Sequence, residues 1–251
     1  MPDAHDWERY RDRLSAIPSL ALNYEPEHVD RHHEVEGWHV DFHEAELPPE
    51  PPGPPLSDDH PGAAWSIACD LVRSYAFPDP ELITGIFEPD GPLEGRPMLL
   101  RARFLVFTFW LPVRVVEVVD ETVGGDQGPE RAWGYSYTTL EGHFEKGQIW
   151  FTVVKQEQTG RVLFRIRAVS HPDRIRNPLY RIGFALFGRR LQLRFAHTAM
   201  ERMQRLTAER LAARAAGVPA KPESGPDVAT LEPTHNIESA TAEIDLDDDR
   251  S

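Results

Sequence analysis

At 251 residues, 40% of them hydrophobic, and with a formal net charge of −14, the chain has room for one ordinary domain with extensions or for two small ones. The acidic balance argues against non-specific nucleic-acid binding. The lone Cys69 excludes an intramolecular disulfide and fits a reducing cytoplasm.

Asp6 to Ile17 carries Trp7, Tyr10, Leu14 and Ile17 at spacings of three and four, the pattern of a short amphipathic helix that Pro18 ends. The opening Met1-Pro-Asp-Ala-His-Asp6 lacks the basic and apolar regions of a secretory signal, so a cytoplasmic location is expected. Residues 1–19 thus form an N-terminal helical unit, and residues 20–61 an extended arm rich in histidine and proline. Glu25 to Glu46 holds five histidines and one period-two stretch, Trp38-His-Val-Asp-Phe-His43. Leu47 to Pro55 is so dense in proline that it must be extended, near polyproline II. It resembles an SH3 ligand superficially; an ordered arm along the domain is the preferred reading.

Gly62 to Tyr75 reads as the first helix of an α+β domain over residues 62–216. Pro80 to Gly85 reads as one further helical turn, since proline suits a first helical position. Strands follow: Met98 to Phe109, Val113 to Val119, Arg131 to Leu140, Gln148 to Lys155 and Arg161 to Val169. The apolar run from Leu99 to Val119 is broken by Arg101, Arg103, Pro112 and Arg114, which excludes a comfortable membrane span. His171 to Gly188 reads as a loop plus a short helix, and Arg189 to Ala213 as the longest helix, with an apolar stripe of Leu191, Phe195, Ala199, Met203, Leu206 and Leu211. From Gly217 the aromatics vanish and acids accumulate, so residues 217–251 read as a disordered acidic tail. The expected architecture is a curved antiparallel sheet of five to six strands wrapped on the long C-terminal helix. Such a wrap leaves a cavity of the kind that holds apolar ligands.

The charge is unevenly spread. Residues 1–60 hold 15 acids and 4 bases, whereas residues 161–214 hold 3 acids and 13 arginines. The preferred reading is that the basic section neutralises the acidic one within one molecule. The alternative is an interaction protein whose basic helix meets an acidic partner or an anionic membrane surface.

Three strings carry a resemblance: Gly95-Arg-Pro-Met-Leu-Leu-Arg-Ala-Arg-Phe104, Trp133-Gly-Tyr-Ser-Tyr-Thr-Thr-Leu-Glu-Gly-His-Phe-Glu-Lys-Gly-Gln148 and Gly188-Arg-Arg-Leu-Gln-Leu-Arg-Phe195. They resemble the uncharacterised domain-of-unknown-function family nineteen-ninety, over Leu20 to Ala213. Gly37-Trp-His-Val-Asp41 and the proline-rich string resemble an actinobacterial branch of it. Thr138 and His171 depart from the family pattern, which places glycine and arginine there. By element order the family is similar to the START and Bet v 1 helix-grip group. That likeness implies a helix-grip fold with a cavity for lipids, sterols or polyketide-like molecules.

His143, with Glu141 and Glu145, is the candidate acid–base group, since an imidazole near carboxylates can titrate near neutrality. The competing and preferred reading is a turn residue holding the hairpin by side-chain hydrogen bonds. His39, Asp41 and His43 would share one face of a strand and are weak metal-ligand candidates, but they match no standard metal spacing. Trp133, Tyr135 and Tyr137, with Phe151, Phe164, Phe195 and Met203, are candidates for the wall of a ligand cavity, or else ordinary core. Cys69 reads as core. The residues call for no cofactor. The expected function is non-catalytic binding of a small apolar or amphipathic molecule, with no nucleic acid and no stable membrane insertion. An isomerase, cyclase or hydrolase using His143 and Glu141 is the alternative.

Overall fold

The computed structural model describes residues 7–104, 107–125, 128–172 and 178–217. Beyond Gly217, the expected disordered tail lies outside the described residues. The amphipathic N-terminal stretch forms a 3-10 turn (Trp7–Tyr10), α1 (Arg11–Ala16) and a second 3-10 turn (Ile17–Ser19). One further short helix, α2 (Glu27–Asp30), precedes β1 (His39–Leu47), and α3 (Ala64–Arg73) follows the proline-rich segment. Then come β2 (Ile83–Ile86), β3 (Pro97–Phe104), β4 (Phe107–Gly125), β5 (Gly128–Thr139), β6 (Glu145–Gln156), β7 (Val162–Pro172) and α4 (Pro178–Ala215).

The fold is α+β. Seven strands form one curved antiparallel sheet in the order β1-β7-β6-β5-β4-β3-β2. That exceeds the expected five to six for two reasons. Residues 39–47 leave the arm to pair with β7, His39 opposite Ser170 and Leu47 opposite Val162. Residues 83–86, expected as a helical turn, instead pair with β3. Gly85 permits the second outcome: a Cβ there would lie 2.6 Å from the Tyr75 ring, so glycine lets this edge strand pass close to the core. The long helix is also longer than its apolar stripe indicated, running unbroken from Pro178 and closing at Gly217, whose φ is +65°.

Period-two alternation sends Trp133, Tyr135 and Tyr137 of β5, and Phe151 and Val153 of β6, to the inner face, where they are buried. Val162, Phe164 and Ile166 of β7 join them. Cys69 lies in the same core, on α3, and burial pushes its thiol well above the usual cysteine range. The outer face carries a second, smaller cluster, in which Leu14 and Ile17 pack with Ile86, Leu99 and Leu140.

The proline-rich segment is held by a buried ion pair. Lys155 Nζ donates to Glu50 Oε2 at 2.7 Å and to Pro54 O at 2.9 Å. The Glu50 carboxylate also accepts the Trp65 amide at 2.8 Å and the Leu56 amide at 3.1 Å. Both charged side chains are fully enclosed. Acid and base also meet across the edge of the sheet. Arg161 bonds Glu46 through two nitrogens, and Arg165 bridges Glu44 and Glu130. From α4, Arg202 donates to Ala76 O and Arg214 to Asp58 O. The basic section therefore spends several of its arginines within the molecule, although each exposed pair contributes only about 0–1 kcal/mol.

Candidate functional site

The inner face is not uniformly filled. Tyr75, Phe77, Phe151 and Phe164 interlock as tilted and edge-on rings 4.8–6.1 Å apart, beneath α3. Toward the other end of the strands lies a cavity of about 170 Å³ between the sheet and α4. Its apolar wall includes Leu82, Leu100, Leu111, Ile149, Ile166 and Phe195.

The turn between β5 and β6 makes the polar rim. The His143 amide donates to Leu140 O at 3.0 Å. His143 Nδ1 lies 3.0 Å from both the amide nitrogen and the carbonyl oxygen of Glu145, so either ring tautomer keeps one hydrogen bond to that backbone. The ring also lines the cavity, together with Glu145, whose carboxylate accepts from the Gln192 side-chain amide of α4. His143 is thus a turn residue and a cavity residue at once. Glu141 is not brought to it: its side chain is exposed and only its backbone is engaged, donating to Ala21 O.

Asn23 braces this turn from outside. Its amide donates to Glu145 O at 2.8 Å and to His143 O at 3.3 Å, and its carbonyl accepts the Thr139 hydroxyl at 2.8 Å. Sequence reasoning missed Asn23, because nothing local marks a contact with residues more than a hundred positions away. Thr138, one departure from the family pattern, is used in the same region: its Oγ1 is 2.5 Å from the Tyr24 hydroxyl. His171, the other, packs its ring 5.6 Å from Trp38.

Of the expected wall residues, Tyr137 and Phe195 line the cavity. Trp133, Tyr135, Phe151, Phe164 and Met203 do not; they lie in the close-packed part of the core. Asp41 and His43 line the cavity from β1, and His39 stands exposed at the strand's start. Alternation puts all three on the inner face, yet no group of three or more His, Cys, Asp or Glu able to hold a metal occurs among the described residues.

The buried phenols are not anionic groups. Burial pushes Tyr75, Tyr135 and Tyr137 well above the usual tyrosine range. Because its ring bonds the Glu145 backbone, His143→Gln should cost about 1–2 kcal/mol, the scale of one or two local hydrogen bonds. Thermal melts read that cost, and because the ring also lines the cavity, probe titration should show a modest change in affinity and no loss of binding. If His143 were an acid–base catalyst, the fold would survive and turnover of a true substrate would fall roughly 10²–10⁴-fold.

The model of the family described as Domain of unknown function (DUF1990) matches residues 23–212. No curated protein matches the chain. Among solved structures, a norcoclaurine synthase point mutant from Thalictrum flavum, in complex with a transition-state analogue, is 12% identical with a TM-score of 0.41, covering 68% of this chain and 95% of its own. Ara h 8.0201 is 12% identical with a TM-score of 0.38, covering 68% and 99%. The hypothetical protein jhp0584 from Helicobacter pylori is 8% identical with a TM-score of 0.43, covering 74% and 96%.

Proposed function

The chain belongs to the DUF1990 family of domains of unknown function, and from its own geometry we propose that it binds a small apolar or amphipathic molecule between sheet and helix, without catalysis. The observation that carries this reading is the cavity: a wall whose surface is mostly aliphatic and aromatic, to which β1, the β5–β6 turn and α4 add polar and charged side chains, Asp41, His43, His143, Glu145, Lys146 and Gln192 among them, a composition suited to a ligand site. Its size narrows the class. An engineered apolar cavity of about 150 Å³ accommodates benzene. A space of about 170 Å³ fits a single ring with few substituents rather than a sterol or a long acyl chain. Of the two carboxylates expected beside the imidazole, Glu141 faces outward and Glu145, although on the cavity wall, is bonded by Gln192, which favours binding over acid–base chemistry.

On α4, Arg202 and Arg214 are engaged by backbone carbonyls and Arg205 by Glu209, which weighs against a basic docking helix as the main function. No helix among the described residues is long and apolar enough to cross a membrane.

The test is titration of the purified protein with methylenecyclohexane, followed by methyl and amide NMR shifts. Saturable shifts are expected at Ile149, Ile166 and Phe195. Ala168→Phe, which places a ring inside the cavity, should weaken that binding at least about tenfold while costing about 1–3 kcal/mol for overpacking. Unsaturable shifts, or shifts that persist unchanged in the variant, would overturn the reading.

A further inference from the structure

Among the buried polar side chains of the cavity wall, one stands out by what it has left to offer. The Tyr137 side chain lines the wall, and its hydroxyl lies 3.5 Å from that of Tyr75. That is the outer limit of a hydrogen bond. Other polar groups of the wall are more tightly committed. The Thr139 hydroxyl donates to Asn23 Oδ1 at 2.8 Å and accepts the Gly147 amide at 2.9 Å. His143 Nδ1 is held by the Glu145 backbone, and Gln192 by the Glu145 carboxylate.

A phenol hydroxyl carries one proton to donate and lone pairs with which to accept. Tyr75 does not line the cavity; it stands behind Tyr137, 5% exposed against 7%. The two oxygens are mutual partners, so Tyr75 donating to the Tyr137 oxygen leaves the Tyr137 proton for the cavity. Both hydroxyls stay neutral at ordinary pH, because burial disfavours the phenolate.

The placement of Tyr75 is not incidental to the fold. It sits just past α3 with φ 51°, a left-handed conformation that glycine usually takes at this position. A non-glycine residue there costs about 1–3 kcal/mol. The conformation turns its ring into the core, 6.4 Å from the Tyr137 ring and 6.1 Å from Phe151. Gly85 on β2 leaves the room it needs.

Resting on the cavity reading above, we propose that the ligand carries a neutral hydrogen-bond acceptor, a ketone-like carbonyl or an ether oxygen, on a ring-sized apolar body. Tyr137 is the binding residue and donates to that oxygen. Tyr75 is the positioning residue and strengthens the donor by hydrogen bonding to the Tyr137 oxygen, as chained hydroxyls polarise one another. A carboxylate ligand fits worse, because Asp41 and Glu145 outnumber Lys146 on the wall and an apolar cavity penalises an added charge.

The experiment compares two isosteric probes, cyclohexanone and methylenecyclohexane, which differ by oxygen in place of a methylidene carbon. Each is titrated into the full chain and into Tyr137→Phe and Tyr75→Phe, substitutions that remove only a hydroxyl. The ratio of ketone to alkene affinity should fall about tenfold in Tyr137→Phe, the scale of one net hydrogen bond, and by a smaller factor in Tyr75→Phe. Alkene affinity should stay within about twofold, since the packing is conserved. The carbonyl stretch of bound cyclohexanone should lie below its frequency in hexane and move back up in both variants, a change that lost packing alone would not produce. Equal weakening of both probes, or an unchanged ratio, overturns this inference while leaving the cavity reading standing. Failure of both probes to bind the unsubstituted protein overturns both.

Discussion

Lys155→Met should lower the stability of the fold by about 3–5 kcal/mol, the cost of leaving one member of a buried ion pair without its partner. For a domain of this size that corresponds to roughly 6–20 °C in Tm. The reasoning is local. Lys155 lies on the inner face of β6 and is fully enclosed with the Glu50 carboxylate. Removing the ammonium leaves a buried carboxylate with only the Trp65 and Leu56 amides, and leaves Pro54 O without its donor. The proline-rich segment loses its tie to β6, although the Glu50 amide still donates to Gly160 O and the Gly53 amide to Glu157 O. Glu50→Gln should cost less alone, because the amide oxygen can still accept from a backbone donor. The double variant should be less destabilised than the sum of the two by about 1–3 kcal/mol, the coupling expected of residues in one network. Additive effects in thermal or denaturant melts, or a loss under about 1 kcal/mol for Lys155→Met, would show that the pair is peripheral to stability.

That ion pair also marks the boundary between what the sequence declares and what it leaves hidden. Alternation along β6 runs Ile149, Phe151, Val153, Lys155, and a lysine arriving on an apolar face is a visible anomaly. Its partner is 105 residues away and carries no signal of its own. The aromatic and β-branched strands β5, β6 and β7 were legible for the same periodic reason, and so was the closing helix. Strand β2 was not, because a short segment behind a proline satisfies a helical-turn pattern equally well, and what decides between them is its pairing with β3, a tertiary contact. The division of the aromatics into core and cavity wall was equally out of reach. Tyr135 and Tyr137 stand two residues apart on one face of one strand, yet only Tyr137 lines the cavity. What separates them is how far along the sheet α3 and the Phe77 ring extend, a tertiary fact without a periodic signature. His143 was recognisable as a turn residue from its flanking glycines; its place on the cavity wall follows from how the sheet meets α4, which spacing does not encode.

Gly147→Ala should be still more disruptive in one respect, because it strikes stability and binding together. Gly147, the third residue of β6, has φ +143°, a backbone region that L residues rarely adopt. It pairs with Ser170 on β7, and a Cβ there would lie 2.0 Å from Val169 O, a backbone atom that cannot swing aside. Either the β6–β7 ladder opens locally or β6 moves away from β7. The Gly147 amide donates to Thr139 Oγ1 at 2.9 Å, and its carbonyl is 3.3 Å from the same hydroxyl, so a displaced residue 147 also loosens the turn that presents His143 and Glu145. The expected loss is at least about 3 kcal/mol, combining backbone strain of about 1–3 kcal/mol with the disturbed ladder. The melting temperature should fall by roughly 6–12 °C or more. Affinity for methylenecyclohexane should drop at least about tenfold at temperatures where the variant is still folded, since residues 143–149 form one side of the cavity. A variant that melts like the unsubstituted protein would show that the ladder shifts freely at this point. A variant that is destabilised but binds the probe unchanged would show that the cavity does not depend on the turn, and that the Gly-His-x-Glu-x-Gly string serves the hairpin alone.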